Sequence, residues 1–246
     1  MRYVKQIQEL PRRALADFIA ANVRTLLEDE ALAALKNPYV TPQICQLIAQ
    51  SHRLTGFYSV RLRLVEHRAT PQAHAVKFVH YLHWPDMVRL SVDVRIAAPV
   101  RRAIDTQLLL RVDKLTLGEK IASAKRCGLA LIKVFLFDRD PDVFASLLVN
   151  QRVREEDLVL IAGSERATAE KLQLLAADRK WSCRYAVRKA LVLNPLTPRS
   201  VAASQLRFLT ARDLHQIHRN PRTSVYLRRC IERLRPALAA MAFSLI

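Results

Sequence analysis

The chain has 246 residues, 51% of them apolar, so it carries material for a sizeable buried core. Lys and Arg number 40 against 22 Asp and Glu, a formal charge of +18 that excludes a neutral surface and points to anionic partners. Only four glycines leave little for hairpin turns or phosphate-cradling loops, and Ala, Leu and Arg favour helix, so an all-α fold is expected.

The N-terminal stretch from Met1 to Leu10 is interrupted by charge, so no secretory leader is expected. No apolar run reaches the roughly 18 residues of a membrane-spanning helix. Cys45, Cys127, Cys183 and Cys230 are scattered without a C-x-x-C pair, which reads as reduced thiols in the cytoplasm. Residues 1–36 are expected to form capping helices, 37–111 a first repeat block, 112–163 middle repeats, 164–235 a second block and 236–246 a C-terminal cap, all in one domain.

Stop-and-start signals recur along this path. Asn37-Pro38 with Thr41-Pro42, Thr70-Pro71, Asn194-Pro195 with Thr197-Pro198, and Asn220-Pro221 with Thr223 each follow an apolar stretch. Asn tolerates the left-handed conformation that ends a helix, Pro cannot continue it, Thr caps the next helix and a second Pro suits its first position. Between these signals apolar residues recur at helical spacing over about 10–14 residues, as at Ile44, Leu47 and Ile48.

Residues 127 positions apart also match. Tyr58 pairs with Tyr185, Arg61 with Arg188, Leu64 with Leu191, Thr70-Pro71 with Thr197-Pro198, Leu82 with Leu209, Asp86 with Asp213, and Arg101-Arg102 with Arg228-Arg229. Repetition on this scale indicates a repeat architecture.

Second helices of a pair begin at Pro85-Asp86 before Val88-Arg89, at Asp140-Pro141 before Val143, and at Trp181 before Val187-Arg188. Asp or Trp a few residues ahead of Val-Arg resembles HEAT-type helical repeats, and the Asn-Pro-x-Thr-Pro turns resemble those of leucine-rich-variant repeats. The resemblance covers most of residues 30–235 and implies an α-solenoid of about six or seven helix pairs. It also implies that Arg61, Arg89 and Arg188 bridge neighbouring layers. In size and charge alone the chain resembles the HEAT-like alkylpurine DNA glycosylases, which set an aspartate among aromatic residues in a concave cleft. Trp84 with Asp86 and Trp181 with Tyr185 are the available pieces, but their spacing departs from that family, and Asp213 at the repeat position of Asp86 favours a structural role for both. A non-enzymatic protein is expected.

The charge is unevenly spread. Residues 179–235 hold 14 basic and 2 acidic side chains, whereas 112–178 hold 10 and 11. The candidate binding residues are Arg179, Lys180, Arg184, Lys189, Arg199, Arg207, Arg212, Arg219, Arg222, Arg228 and Arg229, followed by Arg233 and Arg235, with only Asp213 and Glu232 to neutralise them. Guanidinium groups suit phosphate bidentately, so a nucleic-acid backbone or another polyanion is the expected partner, bound without strong sequence preference. The alternative is a scaffold for an acidic or helical protein partner; a membrane surface ranks behind both, and a monomer is expected.

No metal or cofactor is expected. His80 with His83 and His215 with His218 place imidazoles on one helical face without a third ligand at suitable spacing. Cys127 reads as a buried inert thiol. Glu155, Glu156 and Asp157 read as the acidic opening of a helix.

Overall fold

The computed structural model describes residues 3–243, with side chains described as far as Leu234. Among these residues all regular structure is helical. The chain divides into two compact units, Met1–Leu115 and Thr116–Ile246. The first holds α1 (Val4–Glu9), α2 (Arg12–Asn22), α3 (Glu28–Lys36), α4 (Pro42–Gln50), α5 (Tyr58–Glu66), α6 (Gln72–Val79), α7 (Trp84–Ser91) and α8 (Ala98–Arg111). The second holds α9 (Leu117–Ala124), α10 (Leu129–Leu136), α11 (Pro141–Leu148), α12 (Glu155–Ala162), α13 (Ala169–Ala177), α14 (Tyr185–Leu193), α15 (Arg199–Leu206), α16 (Ala211–Arg219) and α17 (Val225–Phe243).

Thirteen of these seventeen helices have only eight or nine residues, shorter than the sequence pattern implies and too short to persist alone. Their stability therefore comes from packing, and it comes at two ranges. In the first unit α1 packs on α3, α3 on α5 and α2 on α4, and α5 also packs on α6 and α7 on α8. In the second, α9 packs on α11, α10 on α12, α11 on α13 and α12 on α14, while α14 meets α15 and α16 meets α17. No helix among the described residues is long and apolar enough to cross a membrane.

The internal repeat extends beyond the residues that match by identity. Helices α3 to α8 begin at residues 28, 42, 58, 72, 84 and 98, and α12 to α17 at 155, 169, 185, 199, 211 and 225, so each start is offset by 127. Val60 and Val187, Ala75 and Ala202, Val79 and Leu206, Met87 and Leu214, Leu90 and Ile217, and Ile104 and Ile231 are buried at equivalent positions. The caps repeat as well: Thr41 accepts from Ile44 N–H and Thr168 from Lys171 N–H, both at the N-terminal cap of their helices. Glu30 and Asp157 each accept from the backbone N–H three residues earlier.

Asn ends helices here through its side chain rather than a left-handed backbone, since no described residue has positive φ. The amide of Asn37 donates to Ile7 O at 2.8 Å and Leu10 O at 3.0 Å, while its oxygen accepts from Tyr39 N–H. Asn150 donates to Ala124 O at 2.8 Å and Cys127 O at 3.2 Å and accepts from Arg152 N–H. Asn194 donates to Ala162 O at 2.6 Å and Ser164 O at 3.0 Å and accepts from Leu196 N–H. All three are buried, and each satisfies carbonyls that the end of an earlier helix leaves unpaired. Arg111, Lys171 and Trp181 serve the same purpose from longer side chains, on Leu82 O, Leu136 O and Leu148 O.

The threonine pattern is only partly as expected. Thr41 caps α4, but Pro71 and Pro198 occupy the cap positions of α6 and α15, leaving Thr70 and Thr197 one residue outside and buried. Thr223 donates its hydroxyl back to Ile217 O, and Ser224 accepts from Leu227 N–H at the start of α17. The helix α17 runs unbroken from Val225 to Phe243; the docking contacts expected of a separate cap over 236–246 lie outside the described residues.

Candidate nucleic-acid interface

The basic segment of the second unit is built on α14 to α17. Val192, Leu206, Leu209, Leu214, Ile217, Leu227 and Ile231 form one apolar cluster beneath it, so the intervening polar positions of these helices face outward. Arg179 and Lys180 lie in the turn before α14 and Arg184 caps it; Arg199 opens α15 and Arg207 follows its end. Arg212 sits in the first turn of α16, Arg219 ends it, Arg222 lies in the next turn and Arg229 is in α17. All nine are exposed, as is Arg233.

Two of the expected binding residues are engaged instead. Lys189 Nζ pairs with Asp213 at 2.9 Å. Arg228 donates to Asn220 O at 3.0 Å and Pro221 O at 3.2 Å, closing the end of α16. Both are structural in position, although their charge still contributes to the local field. Arg188, which the repeat resemblance assigns to bridging between layers, donates Nε to Ser182 O at 2.5 Å and lies 3.9 Å over the Phe208 ring, which Arg207 also approaches at 4.7 Å. One exposed aromatic ring thus holds two guanidinium groups together. The spacing of 127 between Arg61 and Arg188 was the available signal, because Arg61 lies 4.6 Å over Tyr81, the counterpart of Phe208.

Tyr185 organises the same edge. Its hydroxyl donates to Asp213 and accepts from Thr210 N–H at 3.1 Å. That bond, with Lys189 beside it, holds the Asp213 carboxyl below its ordinary value. In the first unit Tyr58 donates to Asp86 at 2.5 Å and accepts from His83 N–H at 3.2 Å. Burial and the bond to Asp86 push the Tyr58 hydroxyl up to about 12. Asp86 and Asp213 are therefore equivalent anchors between a tyrosine and a helix start. Trp181 is buried, with Lys180 4.2 Å over its ring.

The two units balance charge differently. Arg63, Arg89 and Arg95 of the first unit pair with Glu66, Asp86 and Asp93, with N–O distances of 2.6 to 3.4 Å. Among the described residues from 179 onward Lys189 pairs with Asp213 and His218 meets Glu232 at 2.9 Å, and neither contact uses an arginine. Helix polarity sharpens the contrast: α12 opens on Glu155, Glu156 and Asp157, but α14 and α15 have no acidic residue in the first turn and carry Arg184 and Arg199 there. A cation at a helix N-terminus opposes the helix dipole, so these arginines do not serve helix stability.

Cys127 is buried, and burial pushes its thiol up to about 12, as befits an inert core group. His83 stacks on Tyr58 at 3.9 Å and His218 meets Glu232, so each of the two histidine pairs has a member already engaged. The chain matches no protein-family model, no curated protein and no solved structure.

Proposed function

We propose that the protein is a non-enzymatic, HEAT-like helical repeat module whose second unit binds the backbone of nucleic acid through its arginine-rich surface. The packing of helices on partners two places along the chain supports stacked pairs within each unit, as an α-solenoid requires. The observation that carries the binding reading is the set of ten exposed basic side chains from Arg179 to Arg233 whose guanidinium and ammonium groups make no ion pair among the described residues. Such a surface attracts phosphates and releases their counterions on contact. Helix N-termini at α14 and α15 add backbone N–H groups beside Arg184 and Arg199, which favours anions further.

A second reading rests on apolar residues among the arginines. Leu193, Leu196, Phe208 and Tyr226 are 41 to 45% exposed, and arginine mixed with aromatic and aliphatic groups suits an acidic amphipathic helix. Mobility shifts with random duplex DNA and with RNA separate the two. Shifts at low salt that fade steeply at moderate salt, and that Arg199→Glu with Arg207→Glu abolishes, are expected. No shift at low salt with either nucleic acid would turn the assignment to the protein scaffold.

A further inference from the structure

We infer that a cleft of the first unit, lined by Arg63, Arg68, Arg89 and Arg95 with Glu66 and Asp93, binds a phosphomonoester dianion. Its volume of about 560 Å³ lies in the range of small-ligand pockets. Four guanidinium groups face two carboxylates in the lining, and Asp86, 3.1 Å from Arg89, brings the formal surplus to one positive charge. A phosphomonoester at neutral pH carries about −1.5 to −2 and three strong acceptor oxygens, whereas a diester carries one charge. The second negative charge of the monoester and its third acceptor oxygen let it engage more of these guanidinium groups than a diester can.

The donors are held and only partly used. Glu66 fixes Arg89 at 2.6 Å and Arg63 at 3.4 Å, and Asp93 fixes Arg95 at 2.7 Å. Those bonds occupy Nη2 of Arg89, Nη1 of Arg63, and Nε and Nη2 of Arg95. Among the described residues Arg63 Nε is shielded from solvent and has no partner, and the exposed guanidinium of Arg68 makes no ion pair. His67 also lines the cleft; its Nδ1 accepts from Ala69 N–H, so the neutral ring carries its proton on Nε2 and offers a further donor.

The internal repeat supplies a control. At the positions 127 residues on, Arg63, Glu66, His67, Arg68 and Arg89 become Ala190, Leu193, Asn194, Pro195 and Gln216. Yet α14 and α16 begin at the same offset, and Tyr185, Arg188 and Asp213 keep the bonds and ring contacts of Tyr58, Arg61 and Asp86. The fold therefore does not require the charged cluster. Neutralising the shared aspartate accounts for one cation, Arg89 in the first copy and Lys189 in the second, and not for four arginines in one cleft.

Calorimetric titration of the full chain with inorganic phosphate, adenosine monophosphate and its cyclic diester tests this. The monoester is expected to bind at least about tenfold more tightly than the cyclic diester, and Arg68→Ala to weaken it at least about tenfold. Arg139→Ala, at an exposed arginine outside both basic sites, is expected to leave monoester binding unchanged. Arg68 makes no ion pair, so its variant should melt as the parent does; if it does not, Arg68→Lys, which keeps the charge but loses the fork, takes its place with the same expected loss. A parallel titration with 5′-phosphorylated and 5′-hydroxyl oligonucleotides distinguishes a free mononucleotide from a nucleic-acid end: an Arg68-dependent gain from the 5′-phosphate identifies the end, and its absence the small molecule. Equal affinity for monoester and diester, an Arg68 variant that binds like the parent, or no binding of phosphate or monoester at about 1 mM overturns the proposal. These residues are separate from Arg199 and Arg207, so either site can fail without the other.

Discussion

Single side chains decide how the ends of these short helices are satisfied. Asn150 is fully buried, with its amide on Ala124 O and Cys127 O and its oxygen on Arg152 N–H. Asn150→Ala leaves buried carbonyls and an N–H unpaired, and is expected to lower unfolding free energy by about 2–3 kcal/mol in urea titration. Asn220→Ala, where the side chain accepts one bond from Arg222 N–H at a half-buried site, is expected to cost about 1 kcal/mol or less. The tyrosine–aspartate anchor gives a pH signature. Asp213 is held below 3.8 first by Tyr185 and then by Lys189, so its folded form binds fewer protons than its unfolded form. The stability it contributes is full above 3.8 and is lost as pH falls through the lowered value. Tyr185→Phe should move the Asp213 carboxyl midpoint upward in a carbon NMR titration and flatten the acid limb of stability; an unchanged midpoint would mean that the hydroxyl does not hold the carboxylate.

At the scale of the helix, starts were legible in the sequence and their chemistry only in part. Thr41-Pro42 announces α4 because a hydroxyl acceptor followed by a proline fits the cap and first position, and the structure keeps both. Thr70-Pro71 has the same letters, yet Pro71 takes the cap and Thr70 turns into the core. Local pattern cannot separate these cases, because packing decides which residue bears the cap. Asn37 and Asn194 were legible as helix ends but not as bridges, since their carbonyl partners lie 27 to 32 residues away, and Asn150 carried no such signal. The repeat offers a paired test of what remains. Thr41→Ala and Thr168→Ala remove equivalent caps and should each cost about 1 kcal/mol in thermal or urea unfolding. A loss at one site only would show that the two copies no longer use their caps alike.

At the scale of the molecule, the uneven charge was plain in the sequence, but the split between engaged and free cations was not. Lys189 and Arg228 look like their neighbours until Asp213 and the carbonyls of Asn220 and Pro221 are placed beside them. The cleft of the first unit was invisible for a related reason: residues 51–111 hold 10 basic and 4 acidic side chains, but the surplus does not show that Arg63 and Arg95, 32 positions apart, line one cleft. The engaged and free groups should separate in salt dependence. If about six exposed arginines of the second unit meet phosphates on duplex DNA, the logarithm of the binding constant should fall with the logarithm of salt at a slope near −5, a loss of about 10³ between about 50 and 200 mM. Arg199→Ala and Arg222→Ala should each make that slope shallower by about one. Lys189→Ala and Arg228→Ala remove the same formal charge from groups already held by Asp213 and by backbone carbonyls, so they should weaken binding while leaving the slope nearly unchanged. Four variants with equal slopes would mean that the surface acts only through its total charge, with no defined set of phosphate contacts.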